Sequence, residues 1–290
     1  MKPYAFEYSR PASVEEALEL LDGEDDPRIL AGGQSLLPIL NMRLAQPSRV
    51  IDIGRLPGLS DIKRTPQGNV RIGAIARHAD VMTNAHVRDH LPLLAEAMTH
   101  VAHPAVRNRG TFGGSACLAD PAAEIPCVSV ALDGEFHLRS PRGTRVVKAR
   151  DFFLDVYETD LAADEIMIAA EFKPAEPDER FAFFELSRRH GDFAIVGLAC
   201  RAIVEAGVFT RLELCYFGAG PRATLAENAA RQLIGSRAES HHVDASTNAL
   251  AADLSPQDDL QASEEMRLHL AGELLRRAVA RLIRNERLDP

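Results

Sequence analysis

The sequence predicts an α/β (α+β) protein of two domains, and three observations support this prediction. Short apolar strands alternate with amphipathic helical segments over residues 1–175, which is the pattern of a domain built from alternating helices and strands. Over residues 176–290, three strand-like segments come first and two helical segments follow, as in an antiparallel sheet covered by helices. Between them lies the segment 174–178, whose two prolines among charged residues cannot continue a strand or a helix.

Composition and charge narrow the class of protein. The 290 residues are 46% hydrophobic and 26% charged, as in a folded globular protein. The formal net charge is −9 and Lys and Arg form no basic stripe, which argues against a nucleic-acid partner. The longest apolar runs, such as 193–200, fall well short of the about 20 residues that span a bilayer. The N-terminus lacks the apolar core of a signal peptide, so we expect a cytoplasmic protein without a membrane span.

A capping box opens the first helix of the N-terminal domain. In Ser13-Val14-Glu15-Glu16 the Ser hydroxyl and the Glu carboxylate can each satisfy a free backbone N–H, and apolar residues follow at helical spacing. We divide this domain into two α/β subdomains near residue 57. The further elements predicted are strands at 28–31, 50–53, 61–63, 70–72 and 165–172, helical segments at 35–40, 78–102 and 122–132, and two strands flanking the turn 140–143.

The C-terminal domain is predicted to carry the antiparallel sheet. Strands at 181–186, 195–204 and 212–217 include a hairpin that turns at 205–207. Helices are predicted at 225–234 and 264–283. The polar stretch 236–263 is predicted to be a surface loop.

Cysteines and histidines give no metal-binding pattern. The cysteines Cys117, Cys127, Cys200 and Cys215 are separated by 10, 73 and 15 residues, so no C-x-x-C pair is available for zinc or an iron–sulfur cluster. His241 and His242 are adjacent but lie in the polar stretch without a Cys or carboxylate at ligand spacing. We therefore predict reduced, buried cysteines and no metal site.

Two glycine pairs, separated by eighty residues, share a pattern. Ala31-Gly32-Gly33-Gln34-Ser35 and Thr111-Phe112-Gly113-Gly114-Ser115 each place a serine shortly after the glycines. Glycine lets consecutive backbone N–H groups converge on one oxyanion, and such a site needs no Lys or Arg. The alternative for each pair is an ordinary tight turn. Taken together, the two segments predict a pair of bends that clamp a dinucleotide diphosphate from both sides.

A third glycine motif is interpreted differently. Gly218-Ala219-Gly220-Pro221-Arg222-Ala223 follows a predicted strand, precedes a predicted helix and matches the G-x-G-x-x-G/A fingerprint of dinucleotide binding. However, that strand belongs to a predicted antiparallel hairpin, and too few strands follow to build the parallel sheet that the fingerprint requires. We therefore do not assign a nucleotide site here.

With these motifs in view, the chain resembles the FAD-binding medium subunits of molybdenum hydroxylases, of the carbon monoxide dehydrogenase type and the matching part of xanthine dehydrogenase. The resemblance covers essentially the whole chain. It implies a two-subdomain FAD-binding domain resembling the vanillyl-alcohol oxidase type, followed by a smaller α/β domain with an antiparallel sheet. The segments that carry it are 30–38, 50–53, 106–115, 119–124, 187–193 and 267–272.

The resemblance implies a set of cofactor-binding residues. It assigns the FAD diphosphate to both glycine segments, the ribitol or ribose hydroxyls to Glu124, and the neighbourhood of the isoalloxazine to Leu161 and Phe193. Glu124 can also be interpreted as a first-turn acid favoured by the helix dipole. Phe112 replaces a usual Ile, and Phe193 replaces a common Tyr or Trp and so removes a hydrogen bond to the flavin. The glycine segments comprise Ala31, Gly32, Gly33, Gln34, Ser35 and Leu36, and Thr111, Phe112, Gly113, Gly114 and Ser115.

The resemblance also implies a function. The chain would bind FAD noncovalently and pass electrons from an iron–sulfur subunit to an external acceptor. Its partners would be a two-[2Fe–2S] small subunit and a molybdopterin-binding large subunit, assembled as a dimer of heterotrimers. Two alternatives stay open: a stand-alone FAD-dependent oxidase or NADH-reactive reductase, for which His190 is a weak candidate base, and a nonenzymatic nucleotide-binding scaffold.

Overall fold

A computed structural model describes residues 2–22 and 26–285. The helices are α1 Val14–Leu21, α2 Leu36–Asn41, α3 His78–Thr83, α4 Ala85–His90, α5 Pro92–His100, α6 Pro104–Arg107, α7 Phe112–Leu118, α8 Glu124–Ala131, α9 Ala149–Phe152, α10 Glu227–Leu233, α11 Ser240–Asp253 and α12 Glu264–Arg284. The strands are β1 Glu7–Ser9, β2 Arg28–Leu30, β3 Arg49–Asp52, β4 Ile62–Arg64, β5 Val70–Gly73, β6 Glu135–Ser140, β7 Gly143–Lys148, β8 Phe153–Asp155, β9 Glu158–Thr159, β10 Ile166–Phe172, β11 Glu179–Leu186, β12 Val196–Glu205, β13 Val208–Phe217 and β14 Thr224–Leu225.

The first sheet is small and parallel, with the strand order β1-β3-β2. Helix α1 lies against β3 and begins at the predicted capping box. Glu16 N–H donates to the Ser13 hydroxyl at 3.1 Å, and the Glu16 carboxylate accepts from Ala12 N–H at 2.6 Å. Strand β2 ends at Leu30, so the first glycine segment begins where a parallel strand leaves the sheet.

The second sheet is antiparallel, with the order β4-β5-β10-β6-β7. Helix α7 packs against β5 and β10, and helix α8 connects this layer to the third sheet. Aromatic rings fill the core: Phe112 meets Phe172 edge-on at 5.9 Å between ring centroids, and Phe136 meets Phe152 at 4.8 Å. Such edge-to-face pairs fix the orientation of the rings.

The third sheet is antiparallel, with the order β11-β12-β13-β14. Successive side chains of a strand point to opposite faces, and each face of this sheet is buried in a different core. Phe181, Phe183 and Phe217 belong to the core of the N-terminal layers, next to α5 and α8. Ala182 and Tyr216 belong to a second core closed by α12.

The predicted fold class is confirmed, and three local predictions are wrong. The segment 78–102 is three short helices because Asn84 caps α4 and Pro92 begins α5. The polar stretch 236–263 contains the helix α11, on which His241 and His242 lie. The second glycine pair lies inside α7, where no helix was predicted. None of the helices in the described part of the chain combines the length and apolarity needed to cross a bilayer.

Candidate functional site

The structure brings the two glycine segments into contact. A Cβ on Gly32 would lie 2.8 Å from the Cα of Gly110 and would overlap the carbonyl oxygen of Arg109, so only glycine permits this approach. One residue along, the Cβ of Ala31 lies 3.9 Å from the position a Cβ on Gly114 would take. Segments that are eighty residues apart in the chain therefore share one site.

The first segment presents free hydrogen-bond donors. Gly33 has φ of +73°, a left-handed conformation that turns the chain sharply between β2 and α2. Within the described part of the chain, the backbone N–H groups of 32–36 donate to no protein acceptor. Consecutive unpaired N–H groups around a glycine turn form a concave anion-binding surface. This surface lies at the contact with the second segment.

The second segment is different from the predicted bend. Gly113 and Gly114 lie in the first turn of α7, and their N–H groups already have acceptors. Gly113 N–H donates to the Ala74 carbonyl at 2.8 Å, and Gly114 N–H donates to the Thr111 hydroxyl at 3.2 Å. The prediction of a second cradle of free N–H groups is therefore wrong.

Close packing explains the glycine in this helix. A Cβ on Gly113 would lie 2.7 Å from the Ala74 carbonyl oxygen, so the helix can rest on the backbone of the second sheet only with glycine at this position. The Phe112 ring is fully buried in the core. Next to the first glycine segment, Gly114 is exposed, and the residue after it, Ser115, is half-buried.

His78 supports the contact from behind. Its backbone N–H donates to the Gly110 carbonyl at 3.0 Å, and a Cβ on Gly110 would lie 2.6 Å from its ring. The side chain is 5% exposed and its Nδ1 has no hydrogen-bond partner among the described residues. Burial, and after it the positive charge of Arg107, lowers the pKa of His78 to about 4. His78 is therefore a neutral packing residue at neutral pH.

The loop 187–195 reaches the same region from the third sheet. A Cβ on Gly191 would lie 2.7 Å from the ring of His103, which precedes α6. Phe193, in the same loop, is 63% exposed, an unusual exposure for a side chain of this size. The loop therefore contacts the segment that leads to Gly110 through Gly191, and it carries an uncovered aromatic ring two residues further on.

Glu124 is the first residue of α8 and is partly buried. Burial, and also the negative charge of Asp120, raises the pKa of Glu124 to about 7. Asp120 itself stabilises a turn: its carboxylate accepts from Ala122 N–H at 2.9 Å and from the Tyr157 hydroxyl at 3.2 Å. Glu124 therefore offers a hydrogen-bonding carboxyl at neutral pH.

Leu161 lies in a different environment, on the wall of an open groove of about 550 Å³ beside the second sheet. The charged residues of this groove are paired: Arg145 Nε donates to Glu165 at 2.7 Å and Arg145 Nη1 donates to Asp160 at 2.6 Å. In contrast to the first glycine segment, these groups are already satisfied. Leu161 itself packs against the apolar cluster that contains Phe112, and its N–H donates to the Thr159 hydroxyl at 3.4 Å.

The third glycine motif has no nucleotide-binding architecture. It connects the antiparallel strands β13 and β14, and no helix begins directly after it. The four cysteines are free thiols, three of them fully buried. Among residues 2–22 and 26–285, no group of three or more His, Cys, Asp or Glu side chains clusters as metal ligands would.

Sequence reasoning missed four residues around the site. Arg77 is brought beside Thr111 by an isolated β-bridge, and its guanidinium donates to the Asn108 carbonyl at 3.1 Å. His100, His103 and Glu185 come from elements far apart in the chain. Only Glu185 had a sequence signal, because a charged residue in the otherwise apolar strand 181–186 directly precedes the 187–193 motif.

Comparisons with known proteins agree with this architecture. Residues 4–172 match the family described as FAD binding domain in molybdopterin dehydrogenase, and residues 181–282 match the CO dehydrogenase flavoprotein C-terminal domain. The chain is 37% identical to the 6-hydroxypseudooxynicotine dehydrogenase complex subunit alpha of Paenarthrobacter nicotinovorans, over 99% of this chain and 97% of that protein. It is 39% identical to the nicotine 6-hydroxylase medium subunit of the same organism, over 96% and 98%.

A solved structure extends the agreement to three dimensions. Carbon monoxide dehydrogenase from Hydrogenophaga pseudoflava superposes with a TM-score of 0.94 at 36% identity, covering 97% of this chain and 98% of that chain. The fold and the matches define the chain as an FAD-binding subunit of an oxidoreductase. It belongs to the family of FAD-binding medium subunits of molybdenum hydroxylases.

The residues of the first glycine segment fit the cofactor of this family. The FAD diphosphate is an anion with several acceptor oxygens, and unpaired N–H groups such as those of 32–36 are its natural donors. This fit depends only on hydrogen bonding: the surface has donors without protein acceptors, and the diphosphate has acceptors. It is therefore independent of the sequence comparisons.

Proposed function

We propose that this chain is the FAD-binding electron-transfer subunit of a heterotrimeric molybdenum hydroxylase and passes electrons from an iron–sulfur subunit to an external acceptor. The observation that carries the proposal is the contact between the two glycine segments, which places the unpaired N–H groups of 32–36 beside α7. FAD, when bound, accepts electrons singly and transfers them in pairs or singly to an acceptor. The chain supplies binding, orientation and electrostatics.

Each candidate residue has a defined task in this proposal. The N–H groups of 32–36 donate to the diphosphate, and Ser115 adds a hydroxyl from α7. Glu124 accepts or donates hydrogen bonds at the ribitol or ribose hydroxyls. Phe193 and Leu161 provide apolar surface for the isoalloxazine, and Phe193 does so without a polar group. No His or Cys lies within 31–36 or 111–115, so the attachment is proposed to be noncovalent.

The proposal includes partners. We assign a two-[2Fe–2S] small subunit and a molybdopterin-binding large subunit, in a dimer of heterotrimers. Two relatives support this, because they are named as a subunit of a dehydrogenase complex and as the medium subunit of a hydroxylase. The substrate is then oxidised in another polypeptide, and the flavin is the exit point for its electrons.

Purification of the chain together with its co-expressed partner subunits tests the proposal. We expect a complex whose visible spectrum contains flavin, and whose flavin enters the supernatant on acid precipitation. Reducing the iron–sulfur subunit should bleach the flavin in wild type. A yellow acid pellet would contradict noncovalent binding, and a complex without flavin would contradict the assigned function. Turnover of a small substrate by this chain alone would favour a stand-alone oxidase.

A further inference from the structure

Asp52 is a largely buried acid at the end of β3, and the proposed function gives it no task. It is the last residue of its strand and pairs in register with Leu30, the last residue of β2. The first glycine segment begins at the next residue, Ala31. The carboxyl ends of these parallel strands share one edge of the first sheet, and ligands of α/β sheets bind at this edge. Asp52 therefore stands next to the candidate site.

Both oxygens of the Asp52 side chain have partners, and these come from different segments. Oδ1 accepts from Gly54 N–H at 2.9 Å, which closes a turn after β3. Oδ2 accepts from the Tyr8 hydroxyl at 2.5 Å and lies 4.0 Å from Arg10 Nε. Tyr8 lies in β1, and Arg10 directly follows that strand. With only 17% of its side chain exposed, Asp52 joins the end of β1 to the turn after β3.

The turn that Asp52 holds lies against the first glycine segment. A Cβ on Gly54 would lie 3.0 Å from Asp52 Oδ1 and 3.5 Å from the Ala31 carbonyl oxygen, which is the closest atom of Ala31 to that position. Directly before the turn, Ile53 donates its N–H to the Leu30 carbonyl at 2.9 Å. The turn after β3 therefore follows the carbonyl side of the chain where the first glycine segment begins.

Peptide geometry converts this contact into a direction for a donor. In a planar trans peptide, the carbonyl oxygen and the following N–H point in opposite directions. Because the Ala31 carbonyl oxygen faces Gly54, the N–H of Gly32 points away from the turn. The next carbonyl, that of Gly32, accepts from Gln34 Nε2 at 3.3 Å, and this in turn directs the N–H of Gly33. The first two donors of the segment are thus oriented from their carbonyl sides.

We propose that Asp52 is a positioning residue for FAD, which holds the turn at Gly54 so that the Gly32 N–H faces the diphosphate. The inference rests on the proposed function, in which the N–H groups of 32–36 are the diphosphate donors. Asp52 acts on the cofactor through the backbone of the turn and of the glycine segment. It gives the strand motif 50–53 a task that sequence reasoning did not assign.

The hydrogen bond that Asp52 accepts, and not its charge, is what this task requires. A carboxylate beside a bound diphosphate is repelled by it, and the Tyr8 hydroxyl and the Arg10 guanidinium offset that charge. An asparagine can accept from Gly54 N–H with its carbonyl oxygen and donate to the Tyr8 hydroxyl with its NH2 group. Asp52→Asn should therefore keep the position of the turn, whereas Asp52→Ala should release it.

The position of the turn can be tested without flavin. Backbone amide signals of the full-length chain, prepared with isotope-labelled glycine, are followed by NMR. We expect the Gly32 signal to move or broaden in Asp52→Ala and to stay near its wild-type position in Asp52→Asn. The control is Asp61→Ala, because Asp61 is an exposed acid whose side chain reaches only Lys63, at 3.5 Å. An unchanged Gly32 signal in Asp52→Ala would overturn the positioning role.

The link to the cofactor is tested in the complex with the partner subunits, after its flavin has been removed. Asp52→Ala should bind FAD about tenfold less tightly, because a misdirected N–H loses a hydrogen bond to a charged ligand. Asp52→Asn should stay within about threefold of wild type. ADP, which contains the diphosphate, should lose affinity as FAD does, whereas riboflavin, which lacks it, should bind to Asp52→Ala as to wild type.

The possible results separate this inference from the proposed function. Wild-type affinity of Asp52→Ala for FAD would overturn the inference, and so would equal losses for riboflavin and ADP, because these would indicate general damage to the site. A loss in Asp52→Asn as large as that in Asp52→Ala would also overturn it. A wild-type complex that binds no flavin would refute the proposed function and leave the NMR result standing.

Discussion

The two glycine segments look alike in the sequence and act differently in the structure. At Gly32-Gly33 the chain turns in a left-handed conformation and leaves backbone donors unpaired. At Gly113-Gly114 the chain is helical, its N–H groups are paired, and glycine serves to bring α7 onto the backbone of Ala74. One glycine pair therefore leaves a surface of free backbone donors, and the other allows the close packing that supports this surface.

Replacing Gly32 should have the largest effect. In Gly32→Ala the new Cβ would overlap the Arg109 carbonyl, which is backbone and cannot swing away. The two segments would separate, and losing two hydrogen bonds to a charged ligand costs about 3–6 kcal/mol. We expect FAD affinity to fall at least about 100-fold in fluorescence titrations. Gly220→Ala is the matched control, because its Cβ would have ordinary contacts, 3.4 Å from Ser255 Oγ.

The outcome for the two variants separates the two glycine motifs. Retention of flavin by Gly32→Ala would show that the contact between the segments is not needed for binding. Loss of flavin in Gly220→Ala would restore the third glycine motif as a nucleotide site. Thermal unfolding of both variants checks that each is folded at the temperature at which FAD binding is measured.

Low pH should decrease the stability of the folded chain through His78, which packs behind the contact between the glycine segments. The pKa of its buried imidazole is lowered from 6.5 to about 4. Between these values the unfolded chain binds a proton that the folded chain does not, so the free energy of unfolding should fall as the pH falls from 6.5 to 4. The full loss is about 3 kcal/mol. Urea unfolding of wild type and His78→Gln across this range measures the difference.

A histidine control makes the acid experiment specific. His269 is exposed on α12, so His269→Gln should keep the wild-type dependence on pH. In His78→Gln the free energy of unfolding should fall by about 3 kcal/mol less than in wild type between pH 6.5 and 4. An unchanged slope in His78→Gln would show that the imidazole takes up its proton in the folded state.

Removing the cap of α7 should have the smallest effect. The Thr111 hydroxyl accepts the Gly114 N–H, and losing such a cap costs about 1 kcal/mol. Thr111→Val should lower the free energy of unfolding by this amount, whereas Thr111→Ser should keep most of it. Because the second segment acts as support, FAD affinity should change less than in Gly32→Ala. A larger loss of affinity in Thr111→Val than in Gly32→Ala would reverse the assigned roles.

Local patterns predicted most elements but could not predict hydrogen bonds between distant segments. The capping box at Ser13 and the hairpin at 205–207 depend on neighbouring residues, and the structure contains both. The pairing of Gly113 N–H with Ala74 is a long-range contact, and glycine is a poor helix former. A turn was therefore the natural interpretation of a pair that is in fact helical.

Two further differences have the same kind of cause. The helix α11 has little apolar periodicity, and its stability comes from packing against α10 and α12, so its polar sequence resembled a loop. Glu185 occupies a core-facing position of β11, and the imidazole that approaches it, that of His100, is distant in the chain. The contact between the two glycine segments could be predicted because both segments share a recognisable motif in the sequence.

The third sheet has a consequence for how the molecule can move. One continuous apolar cluster contains residues of the N-terminal layers together with three phenylalanines of the third sheet, Phe181, Phe183 and Phe217. If the third sheet moved away from the N-terminal layers, these aromatic side chains would be exposed to water. We therefore expect the N-terminal layers and the third sheet to move together as one rigid unit. Expression of 176–290 alone should yield a fragment that aggregates, because the aromatic face of its sheet would be uncovered.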